Sequence, residues 1–164
     1  MKTMRLFPLE LKRLLQSRLT WLMMALTVLS PVLGLVLYKP ATSTTMLSMY
    51  LANPAIAGGV AGAILFGLLT IFELDRACRS RVDILTDAVV SPLTTALTRL
   101  LALLTAAVLT AGLTMLVWLP ISAGLIGSVF TGANYVLAYL LLMGLALPLG
   151  ILAAAAAYQF TRRA

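Results

Sequence analysis

Residues 53–81 read NPAIAGGVAGAILFGLLTIFELDRACRSR, and the character of the sequence changes after Phe72. The part before the change is uncharged and rich in glycine and alanine, and it has the length of roughly 20 residues that a helix needs to cross a bilayer. Seven of the seventeen charged side chains of the protein then lie between Glu73 and Asp87. The stretch therefore predicts a transmembrane helix that runs into a charged loop.

The composition extends this interpretation to all 164 residues. The chain is 62% hydrophobic and 10% charged, whereas soluble domains are about half apolar and about a quarter charged. Apolar stretches of membrane length occur at residues 19–38, 54–72, 98–119 and 135–158. The sequence thus predicts an all-α integral membrane protein with four spans, and residues 1–164 form one transmembrane domain.

The basic residues predict the orientation of these spans. Eleven of the twelve lie before the first span, after the fourth, or around the connection between the second and third, and only Lys39 lies on the other side. Basic residues concentrate on the cytoplasmic side of membrane proteins. Both termini and the loop at residues 73–91 are therefore expected in the cytoplasm. The same clustering between apolar runs argues against nucleic acid as a partner.

Residues 5–18 predict an amphipathic helix ahead of the first span. Phe7, Leu11 and Leu14 fall on one side of this helix, and most charged residues fall on the other. A basic helix of this kind lies in the interface of an anionic leaflet, so the lipid bilayer is its expected partner. The expected interfacial anchors are Arg5, Lys12, Arg13 and Arg18. The alternative is a flank whose positive charge only sets the orientation.

Small residues and prolines predict how the spans pack. Gly58 and Gly62 form a GxxxG pair, a spacing that lets two helix backbones approach closely. Pro31 and Pro148 lie inside predicted spans and predict kinks, which free carbonyls that need another partner.

Aromatic residues are expected to mark the cytoplasmic surface at Trp21, Phe72 and Tyr158, and the outer surface at Tyr38, Tyr50, Trp118, Tyr135 and Tyr139.

The sequence offers little of its own for catalysis. It contains one cysteine, Cys78, and no histidine, so neither a metal site nor a disulfide framework is expected. No carboxylate lies at mid-membrane depth, where ion-coupled pumps need an ionisable group. The chain is therefore not expected to be an enzyme or to bind a cofactor, and active transport would need energy from a partner.

The charged stretch predicts a short amphipathic helix. Oppositely charged side chains are spaced i,i+3 at Glu73 and Arg76, and i,i+4 from Arg79 to Asp83. Ser91 is expected to cap a new helix that starts at Pro92. The segment is either a docking surface for a cytoplasmic protein or a solvated turn, and the residues by themselves favour neither. The candidate docking residues are Glu73, Asp75, Arg76, Arg79, Asp83, Leu85 and Val89.

The order of these features resembles the permease subunits of type-2 ABC exporters. The resemblance covers roughly residues 5–120 and is carried in the loop by Glu73, Arg76, Arg79, Asp83, Leu85, Ser91 and Pro92. It implies that residues 5–18 form an elbow helix and that residues 73–91 hold a coupling helix, which docks in a groove of an ATP-hydrolysing nucleotide-binding subunit. It further implies a multi-pass protein of the bacterial cytoplasmic (plasma) membrane, paired with a second permease copy or a different permease chain.

The sequence departs from that family in the number of spans. Its permeases usually have six, and four are predicted here, so the chain is either a fragment of a longer permease or a short subunit that assembles with others. The main alternative function is a non-transporting membrane scaffold or assembly protein whose loop docks a different cytoplasmic partner. A small channel would need polar residues aligned along a span, and an intramembrane enzyme would need catalytic groups that the motifs do not supply.

Overall fold

The computed structural model describes residues 2–36, 48–79 and 91–163, and within these ranges the chain is helical and has no β-strand. The α-helices of this part are α1 Lys2–Gln16, α2 Arg18–Leu29, α3 Pro31–Val36, α4 Asn53–Arg79, α5 Pro92–Ile126 and α6 Gly132–Arg163. A π-helical turn at Ser48–Ala52 leads into α4, and a 3₁₀ turn at Gly127–Val129 follows α5.

Among the described residues, four helical stretches are long and apolar enough to cross a membrane, which confirms the predicted all-α, four-span architecture. They are Arg18–Val36, Tyr50–Arg76, Leu93–Val129 and Gly132–Thr161. The first is formed by α2 and α3 together. The second differs from the prediction at its end, because α4 does not stop at Phe72 but continues as one helix to Arg79. The first residues of the charged stretch therefore prolong a membrane helix.

The centre of the bundle is the packing of α4 against α6. Gly59 lies so close to α6 that a Cβ atom there would come within 2.5 Å of the carbonyl oxygen of Leu142. On α6, Gly150 faces the backbone of Ala63 with no room for a side chain. Backbones can approach this closely only where glycine is present on one side. These two contacts fix the position of the second span against the fourth.

The predicted GxxxG pair lies beside these contacts. A Cβ atom at Gly58 would lie 3.3 Å from Pro31 Cγ, and one at Gly62 would lie 2.6 Å from Leu147 Cδ1 and 3.0 Å from Thr27 Cγ2. Both glycines thus make room for side chains of the first and fourth spans. The sites where the α4 and α6 backbones touch are the neighbouring Gly59 and Gly150.

The first span is broken at Ser30, immediately before Pro31. The break leaves the last carbonyls of α2 without their usual helical donors. The Thr27 carbonyl accepts from the backbone N–H of Ser30 at 3.3 Å and from its hydroxyl at 2.6 Å. The Val28 carbonyl accepts from the indole Nε1 of Trp118, on α5, at 2.8 Å. The disruption of the helix expected at Pro31 is present as this break, and the Thr27 and Val28 carbonyls beside it have partners. At Pro148, by contrast, α6 continues as one helix.

Trp118, Tyr135 and Tyr139 do not form the exposed aromatic belt that the sequence predicts. All three are buried inside the bundle. Trp118 bonds to α2, and the Tyr135 hydroxyl donates to the Met115 carbonyl at 2.7 Å. The polar atoms of Trp118 and Tyr135 thus bond to neighbouring helices and not to a membrane surface. Trp21 and Phe72, expected at the opposite surface, are exposed.

Candidate functional site

The amino-terminal helix packs its apolar face on the protein. Leu14 is buried, and Phe7 and Leu11 pack against the same core, to which Ala102 and Leu103 of α5 belong. The interfacial position expected for this helix stays a prediction, and the structure adds that its apolar side packs on the protein. The helix is amphipathic because one side covers the start of α5, and its outward side carries the exposed Lys12.

A chain of alternating charges runs across this helix and is here named the charge chain: Arg76, Glu73, Arg13, Glu10 and Arg99. At its centre, Arg13 Nη2 donates to Glu73 Oε2 at 2.9 Å. Arg13 Nε lies 3.0 Å from Glu10 Oε2, an ion pair that lacks the alignment of a hydrogen bond. The two ends are looser, at 3.6 Å from Arg76 Nη1 to Glu73 Oε1 and from Arg99 Nε to Glu10 Oε1. The charge chain thus joins α4, α1 and α5.

The burial of the side chains indicates which of these ion pairs contributes most to the stability of the protein. The Glu73 side chain is 8% exposed, that of Arg13 is 37% exposed and that of Arg76 is 60% exposed. A buried carboxylate needs a charged hydrogen-bond partner, and removal of one partner of a buried pair costs about 3–5 kcal/mol. Arg13 supplies that partner for Glu73, and its own partial exposure lowers the expected cost. The Arg76–Glu73 pair is longer and its arginine is exposed to solvent, so we expect it to contribute about 0–1 kcal/mol.

The charge chain connects both ends of the charged loop to the amino-terminal helix. Glu73 and Arg76 lie where the loop leaves the second span, and Arg99 lies two turns into α5, where the loop returns. A cavity of about 10 Å³ lies within this cluster and is lined by Glu10, Arg13, Leu14, Glu73, Arg99, Ala102 and Leu103. That volume holds one water molecule at most. The cluster is therefore a contact between helices and has no room for a substrate.

The start of α5 has the predicted cap. Ser91 has an extended backbone, with φ −60° and ψ 139°, and its Oγ accepts from the Thr94 N–H at 3.4 Å. Pro92 is the first residue of the helix. This cap fixes the point at which the loop returns to the bundle.

The structure separates the predicted docking residues into different environments. Glu73 points inward to Arg13, Asp75 is half-buried, and Arg76 is exposed. Arg79 is the last residue of α4. Asp83, Leu85 and Val89 lie outside the described residues, so their docking role stays a prediction.

The predicted membrane anchors also differ from one another. Lys12 and Arg18 are exposed, whereas Arg13 is engaged by Glu10 and Glu73. Arg5 lies in α1. Of the four, Arg13 therefore acts within the protein.

Two residues of the charge chain, Glu10 and Arg99, were not singled out as site residues from the sequence. Each carried a signal. Glu10 is the only carboxylate outside the charged stretch, and Arg99 is the only charge inside a predicted span. An isolated charge next to apolar residues indicates a partner in the fold.

Threonine side chains inside the spans bond to their own helices. The hydroxyls of Thr27, Thr70, Thr110 and Thr114 each donate to the carbonyl four residues earlier, at 2.7–2.8 Å. All four residues are buried. Their polar atoms are thus satisfied locally, and they do not supply the aligned polar path that a channel needs.

Comparisons with known proteins identified no relative: no family model, curated protein or solved structure matches the chain.

Proposed function

We propose that this protein is the transmembrane permease subunit of an ATP-driven exporter, and that the loop at residues 73–91 docks a separate ATP-hydrolysing subunit in the cytoplasm. The observation that carries the proposal is the charge chain. It ties both ends of that loop to the amino-terminal helix through the Arg13–Glu73 hydrogen bond of 2.9 Å and the Glu10–Arg99 pair of 3.6 Å. A loop that forms only a solvated turn has no need of buried ion pairs at its base.

The geometry gives this loop two routes into the membrane. One is α4, a single helix from Asn53 to Arg79, which moves as a rigid element. The other is the charge chain, through which a displacement of Glu73 acts on α1 and then on α5. A force applied to the loop by an ATPase would therefore move three helices together. Rigid-body motion of packed helices is a common form of switching.

The energy for transport is assigned to the partner. Within the described residues, the carboxylates that belong to ion pairs, Glu10 and Glu73, lie at the charged end of the bundle and not at mid-depth. No cluster of His, Cys, Asp or Glu among the described residues could hold a metal. The proposal places ATP hydrolysis in the docked subunit and completion of the export path in a second permease copy or a different permease chain.

The decisive experiment is purification of the complex from native membranes in mild detergent, followed by mass spectrometry of the intact assembly. An ATP-hydrolysing subunit at one copy per permease chain supports the proposal. Recovery with a kinase, a protease or another non-ATPase would instead support the scaffold function. Recovery of the chain alone would contradict both the exporter and the scaffold functions.

Three loop variants, Arg79→Glu, Asp83→Lys and Leu85→Gln, test the docking surface in the same experiment. Each is expected to lower recovery of the ATPase subunit while the four spans still insert. Thr131→Asp is a matched control, because Thr131 is exposed at the opposite end of the bundle, between α5 and α6. Unchanged recovery in all three loop variants would contradict the proposed docking site.

A further inference from the structure

The turn between α1 and α2 is held by an unusual hydrogen bond. The helix ends at Gln16, Ser17 is extended with φ −75° and ψ 126°, and α2 starts at Arg18. The last carbonyls of α1 have no helical donors at such a break. The Leu14 carbonyl accepts from the Ser17 N–H at 3.1 Å. The next carbonyl, that of Leu15, accepts from the indole Nε1 of Trp21 at 2.7 Å.

Trp21 therefore closes the end of a helix to which it does not belong. It sits in the first turn of α2, six residues after the carbonyl that it binds. The bond fixes the position of the end of α1 relative to the start of α2. Ser17 does not do this, because its side chain makes no capping hydrogen bond.

The bond also lies at an exposed position. Trp21 is 57% exposed, at the start of the first candidate span, Arg18–Val36. At a membrane interface, an indole N–H finds other acceptors in water and lipid headgroups. A hydrogen bond that competes with such acceptors contributes little net free energy, and both its formed and its open state are accessible.

We propose that Trp21 is the latch of a hinge at Ser17 and sets the angle between the amino-terminal helix and the first span. With the latch formed, α1 lies on α5 and Arg13 reaches Glu73. With the latch open, α1 is held on α5 only by its apolar packing and by the charge chain, and a second angle of α1, with a different position of Arg13, becomes populated. The inference concerns the resting position of α1 and does not depend on the proposed transport.

The test uses the full chain in lipid nanodiscs, with Cys78→Ser as background and spin labels at Lys12→Cys on α1 and Leu97→Cys on α5. Both label sites are exposed. The parent is expected to give one main distance. Trp21→Phe keeps the aromatic ring and removes the N–H, and it is expected to shift the ratio of latched to open states about fivefold towards a second distance, which corresponds to the loss of one hydrogen bond.

Two controls make the result decisive. Phe72→Leu changes an aromatic residue of similar exposure that donates no hydrogen bond, and it should leave the distance unchanged. A second label pair, Leu97→Cys with Leu145→Cys, reports on the packing of α5 and α6, and it should not respond to Trp21→Phe. An unchanged α1 distance in Trp21→Phe overturns the proposal. A change in the second pair also overturns it, because Trp21 would then support the bundle and not the hinge.

Discussion

The described residues 2–36 contain two helix breaks, one at Ser17 and one at Ser30, and a tryptophan indole donates to a carbonyl at each of them. At Ser17 the donor is Trp21, 57% exposed and six residues from the carbonyl that it binds. At Ser30 the donor is Trp118, 5% exposed and 90 residues away along the chain. The same type of hydrogen bond, from an indole N–H to a backbone carbonyl, therefore has a different structural role at each break. The local, exposed bond is replaceable by water or lipid, whereas the buried, long-range bond ties the first span to the third.

The largest effect that this comparison predicts is at Trp118. Trp118→Ala removes a buried ring and leaves the Val28 carbonyl without its donor, so we expect the free energy of unfolding to fall by about 3–5 kcal/mol. Trp21→Ala is expected to cost less than about 1 kcal/mol, because the Leu15 carbonyl can accept from water instead. Reversible unfolding of both variants in the same detergent measures the difference. Equal losses would show that the two breaks do not differ in this way.

The Arg13–Glu73 ion pair is expected to hold α1 on the bundle in addition to the Trp21 latch. Glu73→Gln keeps the shape of the side chain and removes its charge, so the Arg13 guanidinium loses its closest anion. We expect a loss of about 2 kcal/mol in the free energy of unfolding, below the range for fully buried pairs because Arg13 is partly exposed. A double-mutant cycle with Arg13→Gln should give a coupling energy of about 1 kcal/mol or more.

Lys12→Gln is the matched control for this cycle, because Lys12 lies next to Arg13 on the exposed side of α1. Its coupling to Glu73→Gln should be near zero. If Lys12 and Arg13 couple to Glu73 equally, the charge chain acts only through its general field and not through the 2.9 Å contact.

A third prediction compares the two serines at the breaks. Ser30→Ala removes the hydroxyl that donates to the Thr27 carbonyl at 2.6 Å, and the Ser30 N–H still serves the same carbonyl. We therefore expect a loss of about 1 kcal/mol. Ser17→Ala removes no capping hydrogen bond and is expected to change stability by less than about 0.5 kcal/mol. Thermal unfolding of the two variants side by side tests this order, and a larger effect at Ser17 would reverse the interpretation.

The smallest expected effect is at the exposed end of the charge chain. Arg76 lies 3.6 Å from Glu73 and is 60% exposed, so Arg76→Gln should lower the free energy of unfolding by about 0–1 kcal/mol. The effect should vanish in about 1 M salt, where exposed charges are screened. A loss as large as that of Glu73→Gln would mean that Arg76, and not Arg13, is the main partner of Glu73.

Features that depend on local sequence were predicted well. The four spans follow from runs of apolar residues, because a bilayer requires every backbone group to be satisfied within the helix. The cap at Ser91 follows from a serine before a proline, and the break at Pro31 follows from a missing N–H. The charged residues after Phe72 were expected to be helical from their spacing, but not to continue the second span as one helix to Arg79.

Features that depend on distant contacts could not be predicted in the same way. The sequence indicated that Pro31 frees a carbonyl, but not that Trp118, from another span, would donate to the adjacent carbonyl of Val28. It indicated that Arg13 is basic, but not that α1 folds onto α5 and brings Arg13 to Glu73, 60 residues away. Aromatic residues at span ends were expected at the membrane surface, and burial between helices prevailed for Trp118, Tyr135 and Tyr139.

The close contact between Gly150 and Ala63 affects how far each end of α4 moves when the helix tilts. The α4 and α6 backbones also touch at Gly59, one turn away, so this part of α4 is the most closely held, and we expect a tilt of the helix to turn about it. At 1.5 Å per residue, about 24 Å of helix lies between Ala63 and Arg79, and about 15 Å lies between Ala63 and Asn53. A tilt about this fulcrum therefore moves the charged end of α4 further than it moves the opposite end. A large displacement of the loop would therefore produce a smaller displacement, with a larger force, at the other end of the second span.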